Sequence, residues 1–202
     1  MDNLKFTVVF HEFAQRSLQS LVGLYGAPRT VVEIGCFEGY TTFNLTTQMA
    51  KTNPAYQHYA IDPHAGSADL PEDVVDEAGE LFRSNLKVFE YCNNVEYVRD
   101  TSWNALLKLL HRGVKADLIY IDGDHRAETV LKDLVLSFEL LEVGGVILCD
   151  DSVSWKYQDE NKNCNLQDSP KLAVDNFIQC NWNRLEVLTL NNGYQTAFRR
   201  IK

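Results

Sequence analysis

The sequence predicts an α/β fold in which helices cover both faces of a doubly wound, mostly parallel sheet. Short apolar segments rich in branched residues alternate with amphipathic segments of helical spacing, which gives five strand-plus-helix units. Parallel neighbours of this kind need helical crossovers, and these cover both faces of the sheet. The chain ends in two apolar segments around the turn Asn191-Asn192-Gly193, which indicates a hairpin and an antiparallel strand.

The first half of the chain is predicted to carry three strands. An amphipathic helix over residues 10–25 is ended by Gly26 and Pro28. A glycine turn after the first strand leads into a helix, for which Thr41 or Thr42 is a suitable N-cap. The predicted strands are residues 29–34, 56–62 and 95–98, and further helices are predicted up to about residue 51 and within residues 64–93.

The second half continues the alternation and then ends in the hairpin. The predicted helices are residues 103–110, 127–141 and 171–179, and the predicted strands are 117–122, 145–150, 185–190 and 195–201. The segment 152–168 is polar and without periodicity. It contains Trp155 and Tyr157, two candidate walls for a substrate pocket that are also suited to a plain surface position.

The acidic composition excludes several classes of function. The 202 residues include 19 Lys and Arg against 28 Asp and Glu, a net charge of −9, without the basic clusters that nucleic acids require. No apolar stretch reaches the ~18 residues of a membrane span, and the N-terminus is too polar for a secretory signal. The cysteines are odd in number and far apart, which indicates reduced thiols. We therefore expect a single cytoplasmic domain over residues 1–202.

The residues that follow the first two strands indicate a small-molecule site, because ligands bind at the carboxyl ends of such strands. Gly35 and Gly39 allow a tight turn and a close approach of the backbone to a ligand. Asp62 is placed to accept both hydroxyls of a ribose. Each signal has a plainer interpretation, a strand-to-helix turn for the glycines and a turn-forming Asp before Pro63. The glycine spacing matches neither the dinucleotide fingerprint nor a phosphate loop.

Four carboxylates follow the fourth and fifth strands: Asp122, Asp124, Asp150 and Asp151. Carboxylates that meet at one sheet edge repel each other unless a cation or bound protons offset their charge. Oxygen ligands favour Mg²⁺, Mn²⁺ or Ca²⁺ over Zn²⁺. Alternatively, Asp124 caps the following helix, Asp151 caps a turn, and the neighbouring His125 is solvated.

Together these segments resemble the class I S-adenosylmethionine-dependent methyltransferases over essentially the whole chain. Residues 31–39 (VVEIGCFEG) are similar to the glycine-rich first motif, and residues 59–62 (YAID) to the acidic second strand. The resemblance implies a Rossmann-like, seven-stranded sheet in the order 3-2-1-4-5-7-6 with strand 7 antiparallel. Residues 120–125 (YIDGDH) and 141–151 (LEVGGVILCDD) are similar to a small-molecule O-methyltransferase branch, which includes macrocin-type sugar methyltransferases and has metal-binding relatives such as catechol O-methyltransferase.

The resemblance also implies roles for individual residues. Asp62 would hold the ribose, and Asp100 and Thr101 would border the adenine. The full set implied to contact S-adenosylmethionine is Glu33, Gly35, Cys36, Gly39, Tyr40, Thr41, Asp62, Pro63, Asp100, Thr101 and Asp122. The metal ligands of the metal-dependent members, which would hold Mg²⁺ or Mn²⁺, match Asp122, Asp150 and Asp151. The general base matches Asp124, with His125 as the second candidate.

We therefore expect metal-assisted O-methylation of a small hydroxylated acceptor, such as a sugar, glycoside or phenol. A metal lowers the pKa of a hydroxyl, and a nearby carboxylate or imidazole removes its proton. The expected partner is thus a small molecule rather than a nucleic acid or a membrane, and members of the family often form homodimers. Three alternatives stay open: a metal-independent methyltransferase, a silent cofactor-binding protein, and a nicotinamide-dependent sugar enzyme, which the glycine spacing disfavours.

Overall fold

Strands and helices alternate along the chain in the structure, a computed structural model that describes residues 3–8, 12–65, 71–152, 169–190 and 194–202. The strands within these residues are β1 (Thr30–Ile34), β2 (Gln57–Ile61), β3 (Val95–Val98), β4 (Ala116–Ile121), β5 (Leu141–Cys149), β6 (Leu185–Leu188) and β7 (Thr196–Arg200). The helices are α1 (Glu12–Tyr25), α2 (Tyr40–Ala50), α3 (Glu72–Val88), α4 (Ser102–His111), α5 (Ala127–Leu140) and α6 (Pro170–Asn181).

The seven strands follow the order β3-β2-β1-β4-β5-β7-β6 in the sheet. The pairs β1–β2, β2–β3 and β4–β5 are parallel, whereas β7 runs antiparallel to both β5 and β6. The predicted fold class, strand order and antiparallel seventh strand are therefore confirmed. None of the helices in the described ranges is long and apolar enough to cross a membrane.

The chain divides into two compact units, Met1–Ser102 and Trp103–Lys202, and the single-domain description stays a prediction. In the first unit the carboxyl ends of the three strands are level, because Ile34 pairs with Ile61 and Ile61 pairs with Val98. The residues that follow these strands therefore lie at one edge of the sheet.

The core of the first unit is aromatic. The ring of Phe43, from α2, lies 5.2 Å from that of Phe82 and 4.8 Å from that of Phe89 between ring centroids. All three side chains are buried and belong to one apolar cluster with Cys36. The glycine turn between β1 and α2 is thus anchored to the core through its own cysteine.

In the second unit the carboxyl ends of β4 and β5 are also level, because Ile121 pairs with Cys149. Asp122 and Asp150 follow these two residues at the carboxyl ends of neighbouring parallel strands. The guanidinium of Arg200, on β7, donates to the carbonyl oxygens of Phe138 (2.8 Å) and Leu141 (2.7 Å) where α5 ends. Those contacts satisfy carbonyls at a helix C-terminus, which would otherwise lack donors.

Two details of the predicted elements differ from the structure. Neither Thr41 nor Thr42 caps α2, because the N-cap position is occupied by Gly39, which has no side chain to form a capping hydrogen bond. Both threonines lie inside the first turn of α2, and the Thr42 hydroxyl donates a hydrogen bond to the carboxylate of Glu33 on β1. β5 begins at Leu141 rather than at residue 145, because α5 ends at the preceding residue and the chain extends through Gly144. The start of the first helix at residue 10, the turn at residues 191–193, Trp155 and Tyr157 lie outside the described residues.

At position 79, inside α3, the packing of His64 leaves room only for a glycine. A Cβ there would lie 2.7 Å from Cγ of His64, whereas a Cβ at Gly23 in α1 would meet nothing within 4 Å. Gly23→Ala should stabilise the protein by about 0.5–1 kcal/mol through helix propensity. Gly79→Ala should instead destabilise it by about 1–3 kcal/mol through overpacking. Urea unfolding of the two variants measures both, and a stabilising Gly79→Ala would contradict this packing.

Candidate active site

The glycine-rich turn between β1 and α2 forms the first part of the site. The N–H of Gly35 donates to the carbonyl oxygen of Ile61 (2.8 Å), and the N–H of Gly39 donates to that of Cys36 (2.7 Å). Gly35 and Gly39 have φ angles of 84° and 87°, which glycine adopts at little cost. A Cβ on Gly39 would also lie 2.4 Å from Cε2 of Phe43, so a side chain there would displace the core.

Asp62 closes this turn from the end of β2. Its Oδ2 accepts hydrogen bonds from the backbone N–H groups of Cys36 (3.0 Å) and Phe37 (2.9 Å), and its Oδ1 accepts one from the N–H of His64 (2.8 Å). A carboxylate offers about four acceptor sites. Three of these sites are occupied, and the Asp62 side chain is 13% exposed.

His64 connects three parts of the first unit. Its Nε2 lies 2.8 Å from the carbonyl oxygen of Phe37, and its Nδ1 lies 2.6 Å from the hydroxyl oxygen of Tyr97 on β3. The residue is 1% exposed and packs against Phe82 and the backbone of Gly79. No sequence motif marks His64, although a histidine two residues after a strand-end aspartate is itself a signal.

Glu33 lies below the turn in a buried hydrogen-bond network. Its Oε2 accepts hydrogen bonds from the hydroxyl of Thr42 (2.5 Å) and from Nε2 of His58 (2.9 Å). Nδ1 of His58 in turn lies 2.9 Å from the hydroxyl of Tyr56 and 3.3 Å from that of Thr46. Glu33 is only 1% exposed. Its two hydrogen bonds connect β1 to α2 and to β2. Glu33 would therefore affect a bound cofactor only through the positions of these elements.

Cys36, Asp62 and His64 form the single group of three metal-ligand side chains found in the described residues, with donor atoms within 4.8 Å of one another. Their hydrogen bonds account for this proximity without an ion. Burial, followed by the negative charges of Asp62 and Glu33, raises the pKa of the Cys36 thiol well above its ordinary value. The thiol therefore stays protonated, and metals bind the thiolate.

A short N-terminal segment lies against the turn. The carboxylate of Glu38 accepts hydrogen bonds from the N–H groups of Thr7 (2.7 Å) and Val8 (3.4 Å) and from the Thr7 hydroxyl. The amide side chain of Asn85 accepts from the N–H of Lys5 (2.9 Å) and donates to its carbonyl oxygen (2.7 Å). These two side chains hold the N-terminal segment at two points, a feature that no sequence motif indicated.

Tyr40 and Thr41 begin α2. The Tyr40 ring is half-buried and packs edge-on against Phe6 of the N-terminal segment, with ring centroids 5.0 Å apart. Thr41 is buried. Both lie in the first helical turn, where N–H groups lack intrahelical partners.

Three further residues of the implied cofactor set follow β2 and β3. Pro63 is exposed, and its carbonyl oxygen accepts a hydrogen bond from Nε of Arg99 (3.3 Å). Asp100 is half-buried, and its Oδ1 accepts from the N–H of Thr101 (2.8 Å), directly before α4 begins. The residues implied for the ribose and for the adenine thus follow adjacent strands whose ends are level.

In the second unit, Asp122 and Asp150 converge on the hydroxyl of Tyr120. The phenol oxygen lies 2.8 Å from Oδ2 of Asp122 and 2.5 Å from Oδ2 of Asp150. Burial, and then the two carboxylate charges, raise the pKa of Tyr120 well above its ordinary value, so the phenol keeps its hydrogen. The phenol presents its one hydrogen to both carboxylates. Two acidic side chains thus meet at one oxygen, an arrangement that positive charge would favour.

The other acidic residues have separate partners. The guanidinium of Arg126 donates to Oδ2 of Asp124 through Nε (2.7 Å) and Nη2 (2.5 Å), and the Thr129 hydroxyl donates to the same oxygen (3.0 Å). Burial alone would raise the pKa of Asp124, but these hydrogen bonds and the Arg126 charge bring it below its ordinary value. His125 lies beside Asp151, with Nε2 3.3 Å from Oδ2.

The structure thus brings together two of the three residues that were predicted to hold a metal. Asp151 has the left-handed backbone φ of 47°, and its N–H donates to Oδ1 of Asp150 (2.9 Å). With Asp122 and Asp150 it does not form a group whose ligand atoms all lie within 4.8 Å. Tyr120, which the sequence analysis had treated only as part of a strand motif, joins the pair instead.

Comparison with known proteins identifies the family of the chain. A family model described as a methyltransferase domain matches residues 32–152. An uncharacterized protein, R132, of Acanthamoeba polyphaga mimivirus is 27% identical over 132 residues, a match that covers 63% of this chain and 53% of the relative. The chain therefore spans about half the length of that curated relative.

Two solved structures share the fold. An O-methyltransferase from Bacillus cereus in complex with SAH superimposes with a TM-score of 0.71 at 19% identity, covering 98% of this chain and 86% of that one. The O-methyltransferase TomG from Streptomyces achromogenes, involved in tomaymycin synthesis and in complex with SAM, has a TM-score of 0.66 at 17% identity, covering 94% and 80%. Because the family model spans more than half of the residues, the chain belongs to the methyltransferase domain family.

Proposed function

We propose that the chain is an S-adenosylmethionine-dependent O-methyltransferase that acts on a small hydroxylated acceptor with the help of Mg²⁺ or Mn²⁺. The observation that carries the proposal is the convergence of Asp122 and Asp150 on one phenol oxygen. Membership of the methyltransferase domain family and the shared fold of two O-methyltransferases support it.

The first unit is assigned the cofactor. The turn from Gly35 to Gly39 leaves α2 with N–H groups in its first turn, and Asp62 keeps one acceptor position for a ribose hydroxyl. Asp100 and Thr101 follow the adjacent strand, where the adenine would lie. Tyr40, Thr41 and Pro63 border the same turn. Cys36, within the turn, and Glu33, before it, are buried.

The second unit is assigned the cation and the acceptor. Asp122 and Asp150 present hard carboxylate oxygens, which Mg²⁺ and Mn²⁺ prefer, and their convergence on one phenol oxygen fits a divalent cation. Asp151 follows directly and would complete the set after a change of its side-chain position. A divalent cation at these residues supplies charge that favours the ionised form of a hydroxyl.

Between the two candidate bases the geometry favours His125. Asp124 is occupied by Arg126 and Thr129, whereas the imidazole of His125 lies 3.3 Å from the carboxylate of Asp151, which would leave it on moving to the cation. In the proposed reaction the acceptor oxygen gives its proton to the base and forms a bond to the methyl carbon. The sulfur–carbon bond breaks, and S-adenosylhomocysteine leaves as a neutral thioether.

The acceptor is proposed to be a small sugar, glycoside or phenol. The net charge of −9 disfavours a nucleic acid or another polyanion, because the chain would repel it. A cytoplasmic location is proposed on the odd number and wide spacing of the cysteines, and a homodimer on the resemblance of the sequence to this branch of methyltransferases.

Binding of the cofactor product tests the role of the first unit. S-adenosylhomocysteine should bind the wild-type chain and raise its Tm, because a ligand that binds only the native state stabilises it. Asp62→Asn should weaken binding about tenfold to a hundredfold, the range for a hydrogen bond to a charged group. Asp175→Asn, at an exposed Lys171 pair on α6, is the control and should bind normally. Calorimetric titration decides, and a wild type that binds NAD but not S-adenosylhomocysteine would contradict the proposal.

Metal binding tests the role of the second unit. Mn²⁺ titrated into the protein with S-adenosylhomocysteine should lose its free-ion EPR signal at one equivalent. Asp150→Asn should weaken this binding by about a hundredfold, because one of two anionic ligands becomes neutral. Asp175→Asn should leave it unchanged. Wild-type protein that binds the cofactor product but no Mn²⁺ would instead indicate a metal-independent methyltransferase, and methyl transfer that survives chelation would indicate the same.

A further inference from the structure

We propose that His64 is a positioning residue for the cofactor, because its imidazole bridges Tyr97 of β3 and the carbonyl of Phe37 and thereby holds the glycine turn in its binding conformation. The inference rests on the proposed function in one respect, namely that this turn contacts S-adenosylmethionine.

The direction of the hydrogen bond to the turn is fixed by chemistry. The carbonyl oxygen of Phe37 only accepts, so Nε2 of His64, at 2.8 Å, carries a hydrogen. The Tyr97 hydroxyl lies 2.6 Å from Nδ1 of His64, and this nitrogen also lies 3.7 Å from Oδ1 of Asp62. Burial, and then electrostatic interaction with Cys36 and Asp62, raise the pKa of Tyr97 to about 12, so its hydroxyl keeps the hydrogen at neutral pH. The Phe37 carbonyl therefore keeps a hydrogen on Nε2, and Tyr97 holds the ring at its other nitrogen.

The peptide group that follows Phe37 is the target of this arrangement. Phe37 is not a glycine, yet its φ is 46°, a conformation that needs support from its surroundings. Its N–H donates to Asp62 (2.9 Å), and its carbonyl oxygen accepts from His64 (2.8 Å). His64 itself has a φ of 44°, and its N–H donates to Asp62 (2.8 Å). Asp62 and His64, which follow β2, thus bind the N–H and the carbonyl oxygen of Phe37.

Packing prevents the imidazole from turning away. The ring centroid lies 5.6 Å from that of Tyr97 and 6.1 Å from that of Phe82. On a third side α3 approaches so closely that only Gly79 fits. The turn therefore depends on a side chain whose position is set by β3 and α3 together.

The test compares side chains that keep or lose the donor. His64→Leu should weaken binding of S-adenosylhomocysteine on the order of tenfold, the loss of about one hydrogen bond. His64→Gln, whose amide can donate to the Phe37 carbonyl, should stay within about threefold of wild type, a difference that a net hydrogen bond covers. Tyr97→Phe should weaken binding, whereas Tyr91→Phe, at a tyrosine that contacts Glu90, should not.

Two further measurements are independent of the ligand. Two-bond ¹H–¹⁵N spectra of histidine-labelled protein should show a hydrogen on Nε2 of His64, and this hydrogen should remain in Tyr97→Phe because the Phe37 carbonyl still accepts it. Amide exchange at Cys36 and Phe37 should be faster in His64→Leu than in His64→Gln. Equal affinity and equal exchange in the two His64 variants would overturn the inference. If the wild type binds no S-adenosylhomocysteine, the proposed function fails, and the exchange comparison alone decides whether His64 holds the turn.

Discussion

The carboxylate of Asp62 accepts hydrogen bonds from two successive backbone amides, those of Cys36 and Phe37, and this contact shapes the glycine turn of the first unit. It is available only because β1 and β2 are parallel and in register, so that Ile34 and Ile61 end side by side. A shift of one residue would turn Asp62 to the other face of the sheet. The backbone of the glycine turn, the start of α2 and the position of His64 all follow from this register.

The second unit uses the same geometry to bring two acidic side chains together. Level ends of β4 and β5 bring Asp122 and Asp150 to one phenol, which has one hydrogen to give. Two carboxylates this close repel each other, and positive charge favours such a pair. In the proposed function a divalent cation would supply that charge.

The sequence could predict the strands and the residues at their ends, because hydrophobic periodicity and glycine positions are local signals, whereas the strand order was implied only by the resemblance to a known family. It could not predict which side chains would meet. The contact between His64 and Tyr97 joins residues far apart in the chain, and the hydrogen bonds of Asn85 to Lys5 span an even longer separation. For Asp124, whose place in the motif suggested a base, the structure adds a contact with Arg126, two residues later, that the motif did not indicate. The capping prediction for Thr42 failed because buried Glu33 competes for its hydroxyl.

A crystal structure of the chain soaked with S-adenosylhomocysteine and Mn²⁺ tests the central claim most directly. We expect the ribose of the product within hydrogen-bond distance of Asp62, and an anomalous manganese peak that contacts the carboxylates of Asp122 and Asp150. The Tyr120 hydroxyl should then keep at most one of its two carboxylate contacts. Product bound at Asp62 with no manganese peak would contradict the metal-assisted mechanism. An absence of both would contradict the assignment of this chain as an S-adenosylmethionine-dependent O-methyltransferase.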